Sequence, residues 1–374
     1  MRFTLSSSTL SSKLTILSKV IMNKNSMPIL EGFLFDVKDG LLTLTASDSE
    51  NVMRSSCQLS ESDGDGSFVV SSNTILDAMR ELPEQPLTFE VDTMEYTIKV
   101  YYQNGMYNFT AQNAEEYPQT QPMPNDVTTI TFDAGALLAN INRTLFATAA
   151  ETLRPVMNGI YFDITPDFTA IVASDGCKLV RNRCFTVKND TPASFILPKK
   201  PATLLKNVLS KDGGDVVIQF NDRNAVISFA DGVLICRLIE GRYPNYNSVI
   251  PKENPNHLRI DRKTFISALR RVMPFASESS ELVKFKVDTT QVEISSEDID
   301  FSTSAKESLI CDYDGVPMAI GFKGPALTEI LNCIDSDDVI IELAEPSRAG
   351  VVVPAEQPEQ EEVLMLIMPT LLND

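Results

Sequence analysis

The side chains that could do chemistry are few and poorly grouped. The chain has one histidine, His257, in what reads as a linker, and six cysteines at positions 57, 177, 184, 236, 311 and 333. A Cys–His nucleophile pair would have to use that histidine, and no recognisable signature surrounds any of the cysteines. No C-x-x-C spacing occurs, so the thiols read as reduced cysteines of a cytosolic protein, not a zinc site or a disulfide frame. Asp63-Gly64-Asp65-Gly66 hints at a calcium loop. The position that should supply its bidentate carboxylate is Thr74, so a hairpin turn is the better reading. Asp337-Asp338 could do acid–base work, but such adjacency is expected where 51 residues are acidic. Neither a P-loop nor a G-x-G-x-x-G run is present. The sequence therefore assigns no catalytic residue, no metal and no cofactor.

The elements that would position any site come from a chain of 374 residues, enough for roughly two to four domains. Apolar residues are 43% and charged residues 22%, an ordinary globular balance. There is no run of 18 apolar residues, and the start, Met1-Arg2-Phe3-Thr4-Leu5-Ser6, has no apolar secretory core, so a cytoplasmic protein is expected. The net charge of −19 counts against a nucleic-acid partner unless positive charge is gathered on one face.

The chain repeats. Residues 29–37 (Ile-Leu-Glu-Gly-Phe-Leu-Phe-Asp-Val) and 156–164 (Val-Met-Asn-Gly-Ile-Tyr-Phe-Asp-Ile) align at an offset of 127. Ala46-Ser47-Asp48 returns at the same offset as Ala173-Ser174-Asp175, and Tyr117-Pro118 returns as Tyr243-Pro244. A fainter third copy carries Phe285-Lys286-Val287 and Ser295-Ser296-Glu297. Several matches in one register are hard to attribute to chance. Each copy opens with a strand (Phe3 to Leu5, Ile130 to Phe132, Leu258 to Ile260) that leads into an amphipathic helix. The apolar stripes are Leu10, Leu14, Leu17, Ile21; Leu137, Leu138, Ile141, Leu145; and Phe265, Leu269, Val272, Met273. Alternating strands joined by turns such as Asp39-Gly40 follow, then a second helix carrying Ile75, Leu76, Met79, Leu82; Leu204, Leu205, Val208, Leu209; or Leu327, Ile330, Leu331, Ile334. The fold class is α+β, with two helices packed on antiparallel sheets in each of three segments, 1–125, 126–254 and 255–374. Proline-rich stretches at Pro122–Asp126 and Pro251–Pro255 mark the joins. Residues 354–362 read as an acidic surface loop before a last strand, Val363 to Met368.

Charge sorts by element. The six helical windows (8–22, 73–82, 133–148, 199–211, 261–276, 323–334) hold thirteen basic and five acidic side chains. The remainder holds nineteen basic and forty-six acidic. Lysine is common on solvated helix faces, but that does not explain so acidic a remainder. Segregated charge would draw phosphate to the helices and repel it elsewhere.

The triple repeat resembles a known family, and so do several short segments in order. These are Met1-Arg2-Phe3-Thr4, Met27-Pro28-Ile29-Leu30, Ala173-Ser174-Asp175-Gly176, Ile196-Leu197-Pro198-Lys199-Lys200, Glu240-Gly241-Arg242-Tyr243-Pro244-Asn245-Tyr246 and Met368-Pro369. Together they are similar to the bacterial DNA sliding clamp, the β subunit of DNA polymerase III, over essentially the whole chain. The resemblance implies three clamp domains per subunit and a head-to-tail dimer closed into a ring, with duplex DNA passing through. It implies a processivity factor, not an enzyme, whose partners are the polymerase core, the clamp loader, other polymerases and repair proteins. The rival class is an acidic, β-rich interaction scaffold that never meets DNA.

By motif match the resemblance places DNA contact at Lys24, Arg154, Lys178, Lys199 and Lys200; Lys13 and Arg80 follow from their places on helices. It places a partner-peptide pocket at Met157, Ser174, Gly176, Cys177, Leu179, Pro244, Val249, Ala349, Leu366, Met368, Pro369 and Thr370. It places Tyr107 and Phe109 on an edge strand facing Pro274 and Phe275 of a second subunit. Taken singly, each cation could be a solvated surface charge, and Met157 or Leu179 could be ordinary core. The chain departs from the family at Cys177, where a histidine is usual, at Ser248 before Val249, where an arginine is common, at Val156, where an aromatic often sits, and at its end, Thr370-Leu371-Leu372-Asn373-Asp374. The pocket rim is thereby less basic.

Overall fold

The computed structural model describes residues 1–22, 27–119, 123, 126–150 and 153–372. Its chain divides into two compact units, one of residues 1–138 with 203–238, the other of residues 139–202 with 239 onward. Among the described residues six α-helices occur: α1 (Ser7–Leu17), α2 (Ser72–Arg80), α3 (Ala134–Thr144), α4 (Lys199–Val208), α5 (Arg262–Val272) and α6 (Gly324–Asn332). None is long and apolar enough to cross a membrane.

The repeat fixes how helices begin. At the join into the first helix of each repeat copy a side chain caps the first turn: Ser6 Oγ accepts the N–H of Thr9 (3.2 Å), Asp133 that of Ala136 (2.9 Å) and Asp261 that of Thr264 (2.8 Å). Each such cap satisfies a donor the helix cannot, typically worth about 1 kcal/mol. The helices end earlier than their apolar stripes suggested. Past Leu17 the chain tightens to a turn in which Lys19 and Val20 donate to Ile16 and Leu17, so Ile21 lies beyond the helix. Met273 likewise falls in a 3₁₀ turn, Met273–Phe275, and Ile334 is buried beyond the end of α6.

The first unit holds a five-stranded antiparallel sheet in the order Glu61–Asp63, Arg2–Ser6, Pro86–Asp92, Thr97–Tyr102, Gly105–Thr110. Its core is aromatic: Phe3 stacks on Phe89 at 4.8 Å between centroids and Phe35 on Phe68 at 5.0 Å. A nine-stranded sheet in the same unit pairs Asn51–Gln58 with Gly232–Arg237. The second unit holds another nine-stranded sheet, in which Lys178–Cys184 pairs with Glu361–Ile367, and a four-stranded sheet edged by Thr303–Ile310. The middle of the chain is therefore shared between two long sheets; it does not build one of its own. The two joins repeat in register: Val52 opposes Ile235 as Leu179 opposes Leu366.

Other expectations need correction. Asp63–Gly66 is not a hairpin turn, because the strands it connects belong to different sheets: Glu61–Asp63 pairs with Arg2–Ser6, Gly66–Ser71 with Gly32–Lys38. Gly64 (φ 89°) makes this crossover possible, and Asp65 accepts the N–H of Asp39. His257 lies in the strand Asn256–Asp261, not in a linker, with Nδ1 2.8 Å from Asp314 Oδ2. The acidic stretch 354–362 is not wholly a surface loop. Glu361 and Glu362 begin the last strand, and the Glu361 side chain is only 11% exposed. Among the described residues no group of three or more His, Cys, Asp or Glu is placed to hold a metal ion.

Candidate partner pocket and nucleic-acid interface

Four segments of the second unit meet at one apolar surface. Leu179, Ala349 and Leu366 pack in a small buried cluster with Tyr243 and Tyr246, and Val156, Tyr161 and Ile250 lie half-buried against it. The sheet explains the meeting of Leu179 and Leu366, which oppose each other across neighbouring strands. The tyrosines hold the third segment in place: Tyr161 stacks on Tyr243 at 4.7 Å and the Tyr246 hydroxyl donates to Asp163 at 2.7 Å. Sequence reasoning missed Tyr161, Tyr246 and Ile250 beside this surface, named Val156 only as a departure from the family, and passed over Tyr243 although its Tyr-Pro pair was part of the repeat.

The turn 174–178 forms the rim. Gly176 adopts φ +94°, a conformation in which a side chain would be strained. Ser174 Oγ donates to the Lys178 carbonyl, and Asp175 Oδ1 accepts the N–H groups of Cys177 (2.8 Å) and Lys178 (2.9 Å). Burial pushes the Asp175 carboxyl up, but the hydrogen bonds from Lys178 and the two amides outweigh it and hold the carboxyl below the usual range. Its stabilisation of the turn is full above the ordinary carboxylate pKa and is lost as pH falls through the lowered one. The tail closes on this turn, with Met368 N–H donating to the Cys177 carbonyl at 2.8 Å and Thr370 N–H to Gly321 at 2.8 Å.

The predicted pocket residues thus divide. Met157, Ser174, Leu179, Ala349 and Leu366 are buried. Of these, Leu179, Ala349 and Leu366 share the apolar cluster that makes the candidate floor, and Ser174 belongs to the rim turn. Gly176, Cys177, Pro244, Val249 and Met368 are exposed, and Pro369 and Thr370 are half-exposed. The buried residues already carry their packing, so the apolar surface left open lies chiefly at the rim, where Val249 is 57% exposed and Met368 45%.

The predicted DNA-contact cations divide too. Arg80 is exposed near the end of α2, with Asp77 at 3.8 Å. Lys13 on α1 donates to Ser55 Oγ at 2.8 Å. Lys199 and Lys200 open α4, and Arg154 is exposed beside the Gly176 turn. Lys178 is drawn into the protein: its ammonium lies 2.8 Å from Asp175 and 3.3 Å from Glu329. Lys24 lies outside the described residues. Of the thirteen cations in the predicted helical windows, Lys19, Lys211 and Lys323 fall outside the helices, and Arg143 is not on a surface at all; it is buried, paired with Glu361. Arg262 is half-buried and donates to the Ser336 and Leu331 carbonyls beyond and within α6.

Tyr107 and Phe109 lie on Gly105–Thr110, the edge strand of the five-stranded sheet. Pro274 and Phe275 lie in the 3₁₀ turn after α5, with Phe275 38% exposed.

Family models for the N-terminal, central and C-terminal domains of the DNA polymerase III beta subunit match residues 1–121, 132–245 and 247–370 in order. The chain belongs to the DNA polymerase III beta subunit family. As a member it is a sliding clamp, a non-catalytic processivity factor built of three clamp domains. It is 25% identical to a beta sliding clamp of Haemophilus influenzae over 370 residues, 98% of this chain and 99% of that one. The beta subunit from Thermotoga maritima superposes with a TM-score of 0.90 at 25% identity, covering 100% of both chains. A Pseudomonas aeruginosa sliding clamp solved bound to griselimycin superposes with a TM-score of 0.94 at 21% identity, again over 100% of both chains.

Proposed function

We propose that two copies of this clamp close head to tail around duplex DNA in the cytoplasm, each contributing domains 1–125, 126–254 and 255–374. The ring tethers the polymerase core, the clamp loader, other polymerases and repair proteins through short apolar peptides seated on the Leu179–Ala349–Leu366 floor. The observation that carries this reading is the convergence of four segments distant in sequence on that one apolar surface. Lys13, Arg80, Arg154, Lys199 and Lys200 supply diffuse attraction for phosphate, and Lys178 contributes less because Asp175 and Glu329 offset its charge. Such attraction is salt-screened and reads no sequence, so topology retains the ring while it slides. Tethering raises the local concentration of a polymerase at the primer end. Ring closure uses open sheet edges: Gly105–Thr110 with Tyr107 and Phe109 meets the partner subunit beside its copy of Pro274 and Phe275, extending the sheet between subunits.

Native mass spectrometry should give twice the chain mass of 41.3 kDa. The protein loaded on a nicked circular duplex should be lost when the circle is linearised; retention on the linear form would mean surface binding, not encirclement. Lys199→Glu with Lys200→Glu should weaken retention on the circle without changing the dimer mass. For every phosphate that one of these lysines neutralises, its replacement should reduce the steepness of log affinity against log salt by about 0.9. Unchanged retention would remove these lysines from the DNA path.

A further inference from the structure

The first unit carries a cleft that repeats the partner pocket. Val52 and Ile235, opposed across neighbouring strands, stand where Leu179 and Leu366 stand in the second unit. The Arg237 N–H donates to the Glu50 carbonyl at 3.0 Å, as Met368 donates to Cys177. Ser49 adopts φ 80° at the position of Gly176, and Pro118 corresponds to Pro244. Above this floor lies a cavity of about 660 Å³, lined by Val52, Ile235, Met27, Met123 and Pro118 among others. That volume falls in the range of ligand sites, about 300–1,000 Å³. Its apolar lining contains two methionines, side chains that adapt to differently shaped anchors.

The rims differ in charge. Where the second unit has Cys177 and Lys178, the first has Glu50 and Asn51. Exposed carboxylates of Glu50 and Asp222 outnumber the one arginine on the cleft, Arg223. Ser49 and Gln119 add hydrogen-bonding groups suited to an extended backbone. We propose that this cleft is a second peptide site, taking an extended segment with one aliphatic anchor beside a basic residue. The proposal rests on the peptide-binding reading of the second unit, whose geometry it repeats, and it differs in the charge it selects.

The test uses the full-length protein and a biotinylated pentapeptide with a central photoleucine flanked by lysines. After irradiation, crosslinks are mapped by mass spectrometry. Two sets are expected, one within residues 47–52 and 221–236, the other within 174–179 and 366–370. Glu50→Lys with Asp222→Lys, both at exposed positions, should lower the first set at least tenfold and leave the second unchanged. A glutamate-flanked version of the peptide should lose the first set on the unaltered chain. Absence of the first set, or its survival after charge reversal, overturns the proposal. Absence of the second set with the first intact overturns the partner-pocket reading instead.

Discussion

Ending the chain after Ile367 is expected to weaken binding of a polymerase tail peptide by about 100-fold, while the dimer persists. The magnitude follows from exposure. Leu179 and Leu366 are 2% and 3% exposed, so they form a floor that a ligand touches but scarcely buries further. The apolar area still open to a ligand is at Met368 and Val249. Covering such a side chain, and seating the ligand's own anchor against it, is worth roughly 1.5–3 kcal/mol for each side chain fully buried. The truncation leaves Val249 in place. Losing what Met368 offers, less than half of a full term, together with the seating of the ligand's anchor against it comes to about 2–4 kcal/mol, a range that includes the roughly 2.8 kcal/mol equivalent to 100-fold. The deletion also removes the backbone bonds from Met368 to Cys177 and from Thr370 to Gly321, each contributing about 1 kcal/mol. Met368→Asp separates the two effects, because it keeps both bonds and spoils only the apolar rim. Fluorescence anisotropy with a labelled peptide measures the loss. Tight binding to the truncated chain would place the pocket elsewhere.

The legible parts of this fold and site were local ones. The apolar stripes Leu10-Leu14-Leu17, Leu137-Ile141 and Phe265-Leu269-Val272 were readable because each depends only on residues three or four apart; the caps Ser6, Asp133 and Asp261 are equally local, but the periodicity of the stripes does not single them out. Gly176 was named from the family resemblance of Ala173-Ser174-Asp175-Gly176, and its φ of +94° gives the physical reason a glycine stands there. Strand pairing was not readable. Alternation marks a strand but not its partner, so nothing in residues 126–254 announced that their strands are divided between two sheets. Arg143 was misplaced for a related reason. A helical window reports that a cation lies on a helix, and the face it occupies is decided here by Glu361, 218 residues away. Glu361 and Glu362 looked like loop residues because they follow Pro358-Glu359-Gln360. Their partners Arg143, Arg181 and Arg183 come from other elements and pull them into the sheet. Tyr246 was overlooked because a buried tyrosine in an irregular segment has no periodicity; its place depends on Asp163, set by the strand Gly159–Ile164.

The Arg143–Glu361 pair is expected to dominate the stability of the second unit. Both side chains are nearly enclosed, 8% and 11% exposed, and Asn140 Nδ2 donates to the same carboxylate at 2.6 Å. Removing one partner of a buried pair strands the other's charge and typically costs about 3–5 kcal/mol. For Arg143→Ala the cost should sit near the lower bound, about 3 kcal/mol, because Asn140 still donates to Glu361. For Glu361→Ala the remaining carboxylate near Arg143 is Asp335 at 3.6 Å, which is 80% exposed and so compensates weakly. Glu361→Gln should cost less than Glu361→Ala, since an amide oxygen still accepts one hydrogen bond. The double replacement Arg143→Met with Glu361→Leu should recover much of the loss, because no charge is then left to desolvate. Urea denaturation of the dimer followed by circular dichroism reads these differences as shifts in midpoint. Single variants that cost under about 1 kcal/mol would mean that water reaches the pair and that it behaves as a surface bridge.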